Sequence, residues 1–365
     1  MTRASAPGKL FIAGEWAVLE AGCPAIIAAV NRRVSCGIAP SDHFSATLGD
    51  FAIENAKGTL EDSFKWKNIT HEEAEKLRFA KAAIEACSSY IGGLEPFSIR
   101  TFSDRLGAGE GKYGFGSSSA ATVAIISAIL ALHGKKINTQ KGLETVFKLS
   151  CISHYLAQGK AGSAADIAAA VYGGVIVYKR FNPLWLEHKL SAGTPVKKIA
   201  DSGWPSLEIE PLKIPPNLRL LAGWSGKSSD TPSLIKKMES FKSGKEMEYR
   251  EIVEKISAIV KEAIEAWYSE KWHDVIERLN ENQALLEELS EKSGAGIVTP
   301  ELNRLAEVAQ KQHAAGKLSG AGGGDCAIAL CFGGGTARKV REGWEKAGFE
   351  VPDVGVDGRG VIIEK

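Results

Sequence analysis

The sequence predicts an α+β protein built as two domains, and three observations predict it. The chain has 365 residues, more than one ordinary domain holds, and enough to bury a large core. Its second half reads as helices packed on an antiparallel sheet. Between the halves, the stretch from Phe181 to Pro216 carries Pro183, Pro195, Pro205, Pro211, Pro215 and Pro216, a composition that suits a crossover between domains. The expected division is residues 1–185 and residues 186–365.

The elements follow in order. Ser5 to Gly14 is a short apolar strand entered from a Pro-Gly turn, and Pro24 to Val30 is a second apolar run. Arg32 and Arg33 at its end read as solvated. Residues 40–70 are polar and mixed. Thr70, with Glu73 three positions on, is a capping box for a helix that runs to about Tyr90 and stops at Gly92-Gly93. Phe97 to Phe102 alternates as a strand does. Ala120 to Leu132 has helical length and no breaker, and Lys141 to Gln158 is a second helix. Val175 to Tyr178 and Leu218 to Trp224 are strands. Ser233 to Leu289 reads as two or three amphipathic helices with a break near Ser243-Gly244. Thr299-Pro300-Glu301 starts a helix with proline in its first turn, expected to reach Ala315. Ala327 to Phe332 is a buried strand, Thr336 to Ala347 a helix, and Asp357-Gly358 a hairpin turn near the end.

Composition narrows the function. Hydrophobic content of 44% and charged content of 24% are those of a globular protein. A formal net charge of +1 gives no bulk attraction to nucleic acid or to an anionic membrane. The six cysteines form no Cys-x-x-Cys pair and read as small apolar residues of a reducing compartment. No stretch reaches transmembrane length, and Pro7-Gly8-Lys9 arrives too early for a secretory signal. The expectation is a cytoplasmic enzyme acting on small molecules, without nucleic-acid or membrane partners, as a monomer or homodimer.

Chemistry concentrates at the glycines. Gly114-Phe115-Gly116-Ser117-Ser118-Ser119 leads directly into the apolar helix, so free backbone N–H groups would emerge from a glycine loop, a place that holds phosphate. An ordinary turn before a buried helix has the same appearance. Lys112 stands just ahead. Gly320 to Gly324 holds four glycines in five residues, which suits close approach of backbone to a ligand. Lys9 sits among apolar neighbours at a strand start, either snorkelling to water or pointing into a site. Asp166 is the only charge between Lys160 and Lys179. Either it is a first-turn aspartate favoured by the helix dipole, or it partners a metal or a lysine. The loop Gly223 to Thr231 is rich in small hydroxyls, and either wraps an anion or turns at the surface. No dinucleotide fingerprint fits, since the third glycine and the downstream acid are missing. No Walker A is present; Gly226-Lys227-Ser228 lacks the glycine five positions earlier.

Taken together, Pro7-Gly8-Lys9-Leu10-Phe11-Ile12-Ala13-Gly14-Glu15, Lys112-Tyr113-Gly114-Phe115-Gly116-Ser117-Ser118 and Ser319-Gly320-Ala321-Gly322-Gly323-Gly324-Asp325-Cys326 resemble the three motifs of the GHMP kinase superfamily, in their order and at their spacing. The resemblance implies a two-domain α+β fold, with an N-terminal domain like the ribosomal-protein-S5 β-α-β fold and a ferredoxin-like α/β C-terminal domain. Gln158-Gly159-Lys160, Gly162-Ser163 with Asp166, and Gly223-Trp224-Ser225-Gly226 are similar to the branch that phosphorylates 5-phosphomevalonate with ATP. Ala164 departs from that branch, which usually has glycine there. Mevalonate kinases and an ATP-dependent decarboxylase are its relatives.

The resemblance implies ATP as co-substrate, with Mg²⁺. It places Lys9 and Asp166 at the chemistry, Asp166 orienting Lys9 or the metal shell. It gives the nucleotide to Lys112, Gly114, Gly116, Ser117, Ser118 and Ser119, and the metal to Ser118. The acceptor falls to Lys9, Ser163, Ser228, Ser229, Ser319, Gly320, Ala321 and Gly322. The adenine pocket is not marked by any motif.

Overall fold

The computed structural model describes residues 1–103, 107–108, 111–159 and 162–364. The N-terminal part is a mixed sheet covered by helices. Its elements are β1 (Thr2–Ala13), β2 (Pro24–Pro40), β3 (Phe44–Leu48), β4 (Ile53–Leu60), β5 (Phe64–Lys67), α1 (His71–Ile91), β6 (Phe97–Ser103), the short pair β7 (Gly107–Ala108) and β8 (Gly111–Lys112), α2 (Ser117–Leu132), α3 (Gln140–Gln158), α4 (Ala165–Tyr172), β9 (Val175–Lys179), α5 (Pro183–Ser191), α6 (Val196–Asp201) and β10 (Glu208–Leu212). The C-terminal part follows with β11 (Leu218–Trp224), α7 (Thr231–Gly244), α8 (Glu246–Tyr268), α9 (Trp272–Ser293), α10 (Pro300–Gln310), β12 (Ala315–Leu318), β13 (Cys326–Phe332), α11 (Gly334–Lys346) and β14 (Ile362–Glu364).

The large sheet has nine strands, running β10-β9-β2-β6-β3-β4-β5, with β1 on β2 and β14 on β1. β2 is its spine. It is 17 residues long and pairs with β1 along nearly its whole length, while its first half also pairs with β9 and its second with β6. A strand enclosed in this way is apolar at almost every position, and Pro24 to Val30 is buried throughout. α2 lies on β1 and β2, and α1, α3 and α4 pack around it. Its run from Ala120 to Leu130 is therefore buried on nearly all sides. Thr70 and Glu73 make the reciprocal capping box that starts α1, and Gly92 ends it in the left-handed conformation.

The C-terminal part is a three-stranded antiparallel sheet, β11-β13-β12, with α9, α10 and α11 packed against it, α8 packed on α9 and β2, and α7 packed on α8 and α9. The break expected near Ser243-Gly244 is the junction of α7 and α8.

Four expectations need correction. The N-terminal sheet does not end at residue 185: the proline-rich stretch forms α5, α6 and β10, and β10 closes the sheet edge against β9. The helix beginning at Pro300 stops at Gln310, because Ala315 to Leu318 is drawn into the sheet as a fully buried strand on β13. Asp357-Gly358 is not a hairpin turn; the chain passes on to β14, which returns to β1. Arg33 is not solvated. Its guanidinium is one-tenth exposed and meets Asp357 Oδ2 at 2.5 Å, the Ser5 hydroxyl at 3.1 Å and the Gly360 carbonyl at 2.8 Å, so it ties the C-terminal segment to β2.

Candidate active site

The three glycine-bearing segments meet around one ammonium group. Lys9 is anchored by its own backbone, whose N–H donates to the Phe115 carbonyl at 2.8 Å. Its Nζ donates to the Gly114 carbonyl at 2.8 Å. A Cβ placed on Gly116 would sit 3.3 Å from Lys9 Cγ and 3.7 Å from Asp166 Cβ. A Cβ placed on Gly320 would sit 3.7 Å from Lys9 Nζ. Lys9 therefore has the glycine turn on one side, the closing loop on another, and Asp166 across Gly116. No carboxylate pairs with it among the described residues, which leaves N–H donors for a ligand.

The turn needs its glycines. Gly114 and Gly116 have φ of 79° and 76°, and a Cβ at Gly114 would fall 2.4 Å from the Asp325 carboxylate. Gly116 caps α2 with no side-chain hydrogen bond, so the first-turn N–H groups are left for an anion. Ser117 is half-buried, Ser118 is exposed and Ser119 is fully buried. These positions divide the serines by role: the Ser119 hydroxyl donates to Asp166 Oδ2 at 2.5 Å, whereas Ser118 faces outward. Lys112 ends β8, and its side chain lies outside the described residues, as does Lys160.

Asp166 stands in the first turn of α4. Its Oδ1 accepts the Ile167 N–H at 3.0 Å and its Oδ2 the Ser119 hydroxyl. Of the two partners expected for Asp166, Lys9 or a metal shell, Lys9 makes no direct bond to it among the described residues, since Gly116 lies between the two side chains. Asp166 is instead held by α2 and by its own helix. It opens onto a cleft of about 130 Å³ lined by Ser118, Cys151, His154, Gln158, Ser163 and Phe181 among others. His154 contacts the Thr122 hydroxyl at 3.2 Å and packs on the Phe79 ring, and burial pushes its pKa down. Ser163 is half-buried, with its carbonyl accepting from the Tyr178 hydroxyl at 2.6 Å. Ala164 has φ of 59°, a left-handed backbone that a residue with a Cβ adopts at a cost.

The remaining predicted residues fall on two apposed loops. The Ser319 hydroxyl is buried and accepts the Phe11 N–H at 2.8 Å, which pins the closing loop to β1. Ser228 is exposed. Ser229 is committed to the protein: its N–H donates to Asp325 Oδ1 at 3.0 Å and its hydroxyl to the Gly322 carbonyl at 2.5 Å. Its expected place among the acceptor ligands is therefore taken up by joining the two loops.

Two groups that sequence reasoning passed over now stand out. Asp325 joins Ser229 to the glycine turn, and its position directly after Gly322-Gly323-Gly324 was the signal. Tyr113 stacks on Phe115, meets Trp224 edge-on, and donates to the Glu350 carboxylate. Burial and that carboxylate push the Tyr113 phenol up to about 12, so it stays a neutral donor. It braces the turn against β11 and the segment after α11, a role that needs three distant segments and leaves no local pattern.

Both parts of the chain are similar to known kinases. Residues 78–174 match the N-terminal domain of GHMP kinases, and residues 260–350 match the GHMP kinase C-terminal domain. A phosphomevalonate kinase of Streptomyces sp. (strain CL190) is 30% identical over 357 residues, covering 94% of each chain. One from Saccharolobus solfataricus is 30% identical over 365 residues, covering 98% of each. Among solved structures, the Streptococcus pneumoniae phosphomevalonate kinase in complex with phosphomevalonate and AMPPNP superposes with a TM-score of 0.84 at 24% identity, over 98% of this chain and 100% of that one.

Proposed function

Because the chain belongs to the GHMP kinase family, we propose that it transfers the γ-phosphoryl group of ATP to the phosphate of 5-phosphomevalonate, giving 5-diphosphomevalonate and ADP. The near-full-length relatives that carry this activity in their names support the choice of acceptor. The observation that carries the site is the convergence of Gly114, Gly116 and Gly320 on the Lys9 ammonium, which no carboxylate pairs among the described residues.

Phosphoryl transfer depends on positioning and charge stabilisation. Both reactants here are polyanions, so repulsion is the main obstacle. Two unit charges 4 Å apart at an effective dielectric near 20 repel by about 4 kcal/mol. Lys9 places a positive charge between the glycine turn and the closing loop, where donor and acceptor would meet. The N-terminus of α2 contributes its free N–H groups to the donor phosphates. An alcohol acceptor would gain from a general base. A phosphate monoester, with a second pKa of about 6, is already ionised at neutral pH. Asp166 is therefore assigned to holding the site together rather than to removing a proton.

The oxygen groups beside Gly116 suit magnesium, a hard cation that takes oxygen ligands. The exposed Ser118 hydroxyl and the Asp166 carboxylate would hold it. When bound, Mg²⁺ neutralises charge on the β- and γ-phosphoryl oxygens.

A coupled ADP-release assay with 5-phosphomevalonate and with mevalonate tests the reading. ADP formation with 5-phosphomevalonate and little with mevalonate is expected. Turnover of mevalonate alone would make the protein a mevalonate kinase, and carbon dioxide release with ATP use would make it a decarboxylase; either result refutes the assignment.

A further inference from the structure

Beneath the site lies an ion pair that the chemistry does not use. Glu15 and Lys317 are 1% and 0% exposed, and the Lys317 ammonium donates to Glu15 Oε1 and, at 2.7 Å, to the Leu318 carbonyl. Glu15 follows β1, six residues after Lys9. Lys317 lies in β12, three residues before Gly320. The pair thus bridges the two segments whose loops enclose the Lys9 ammonium.

α9 holds both flanks of the bridge. Asn282 Oδ1 accepts the Gly14 N–H at 3.3 Å, and Gln283 Oε1 accepts the Leu318 N–H at 2.9 Å. Above the pair, the Ser319 hydroxyl accepts the Phe11 N–H. Glu15 Oε2 and Asn282 Nδ2 are buried with no hydrogen-bond partner among the described residues, so the cluster is not arranged for maximal stability. A buried ion pair is a poor source of stability in any case, since the desolvation of two charges offsets their attraction, and apolar replacements of similar volume are often neutral or stabilising. Burial alone drives the Lys317 ammonium down in pKa, and Glu15 opposes that. The pair does have direction: the Leu318 carbonyl holds the Lys317 ammonium on its own strand, and the bond to Glu15 Oε1 then fixes where β12 sits against the end of β1, although the two strands lie in different sheets and share no backbone ladder.

We propose that Glu15 and Lys317 are positioning residues for the phosphoryl-transfer site, setting where the β12 end of one sheet sits against the β1 end of the other and so the separation of the Gly320–Gly322 backbone from Lys9 Nζ. The inference rests on the proposed kinase activity for its kinetic readout. Glu15 and Lys317 touch no ligand themselves.

The double variant Glu15→Met/Lys317→Met removes both charges while keeping apolar volume. Its Tm should equal or exceed that of the parent, while kcat falls at least tenfold and KM for ATP stays within about threefold. Amide hydrogen exchange across Ser319 to Gly324 should become at least tenfold faster. Glu15→Gln keeps an oxygen acceptor for Lys317 and should hold kcat within about threefold of the parent. A folded double variant with kcat within twofold and unchanged exchange would overturn the proposal. So would a Glu15→Gln protein that loses Tm and activity together, because that is simple unfolding. The exchange measurement requires no substrate. A parent protein inactive on 5-phosphomevalonate would therefore refute the functional reading, while exchange in the double variant would still decide the role of the pair.

Discussion

Replacing Lys9 with methionine isolates the ammonium, since methionine keeps the apolar stem that packs beside Gly116. The loss can be sized from the surroundings. Nζ makes one protein hydrogen bond, to the Gly114 carbonyl at 2.8 Å, and no ion pair among the described residues. The stability cost is then that of one hydrogen bond from a charged group, about 1.5–3 kcal/mol at most. The catalytic cost is larger. Withdrawing one positive charge about 4 Å from a phosphoryl oxygen removes about 4 kcal/mol at an effective dielectric near 20, and each 1.36 kcal/mol is a factor of ten in rate. The Lys9→Met enzyme should therefore lose about a thousandfold in kcat, measured with ATP and 5-phosphomevalonate both saturating. Binding of ATP, followed by titration calorimetry, should change by no more than about threefold, because the helix N-terminus and the glycine turn remain. A kcat within tenfold of the parent would refute the argument that Lys9 bridges the two anions.

Three further outcomes follow from other parts of the molecule. Ala164→Gly removes a left-handed alanine that costs about 1–2 kcal/mol, against about 0.5–1 kcal/mol of added chain entropy in the unfolded state; chemical denaturation should show a gain of up to about 1.5 kcal/mol, and a net loss of stability would contradict it. Burial lowers the His154 pKa below its unfolded value, so the native state binds fewer protons and His154 favours folding above about pH 6.5. That contribution is lost as the pH falls through the native pKa, and His154→Gln should flatten the fall in Tm between pH 7 and pH 5; an unchanged slope would exclude the effect. Arg33→Met removes the guanidinium at 2.5 Å from the buried Asp357 carboxylate and leaves that carboxylate the Arg359 guanidinium at 3.6 Å and the Arg359 N–H at 3.0 Å, so it should cost about 1.5–3 kcal/mol, the worth of a hydrogen bond to a charged group, whereas a urea midpoint close to the parent's would show that Arg359 and water replace the guanidinium there.

What could be read in the sequence was whatever one segment determines by itself. The capping box at Thr70, the glycine stop at Gly92 and the apolar run of α2 each carry their cause within a few residues, and each is found where expected. Lys9, the glycine turn and Gly320 stand out in the sequence because a lysine among apolar neighbours and clustered glycines are residue types that a plain core would not call for. Their meeting point was not legible, nor was the division of labour among Ser117, Ser118 and Ser119, which depends on how α2 is rotated against α4. The errors share a cause. Arg33 looks solvated because a guanidinium needs a distant partner to be buried, and Asp357 lies 324 positions away. Ala315 to Leu318 continues a helical pattern until β13 captures it.

The serines show why a catalytic loop resists assignment by residue type. Ser119, Ser229 and Ser319 are all small hydroxyls beside glycines, and all three are engaged inside the protein: with Asp166, with Asp325 and Gly322, and with the Phe11 N–H. Each joins segments far apart in sequence, and together they tie α2 to α4, the Ser225–Asp230 loop to the closing loop, and the closing loop to β1. A site that binds two polyanions must present backbone N–H groups and cations at fixed positions, since preorganised donors act without reorganising as charge shifts. Hydroxyls that lock those loops serve that end as directly as hydroxyls that touch a phosphate. Removing one such lock should alter kcat more than KM, the signature of geometry rather than affinity.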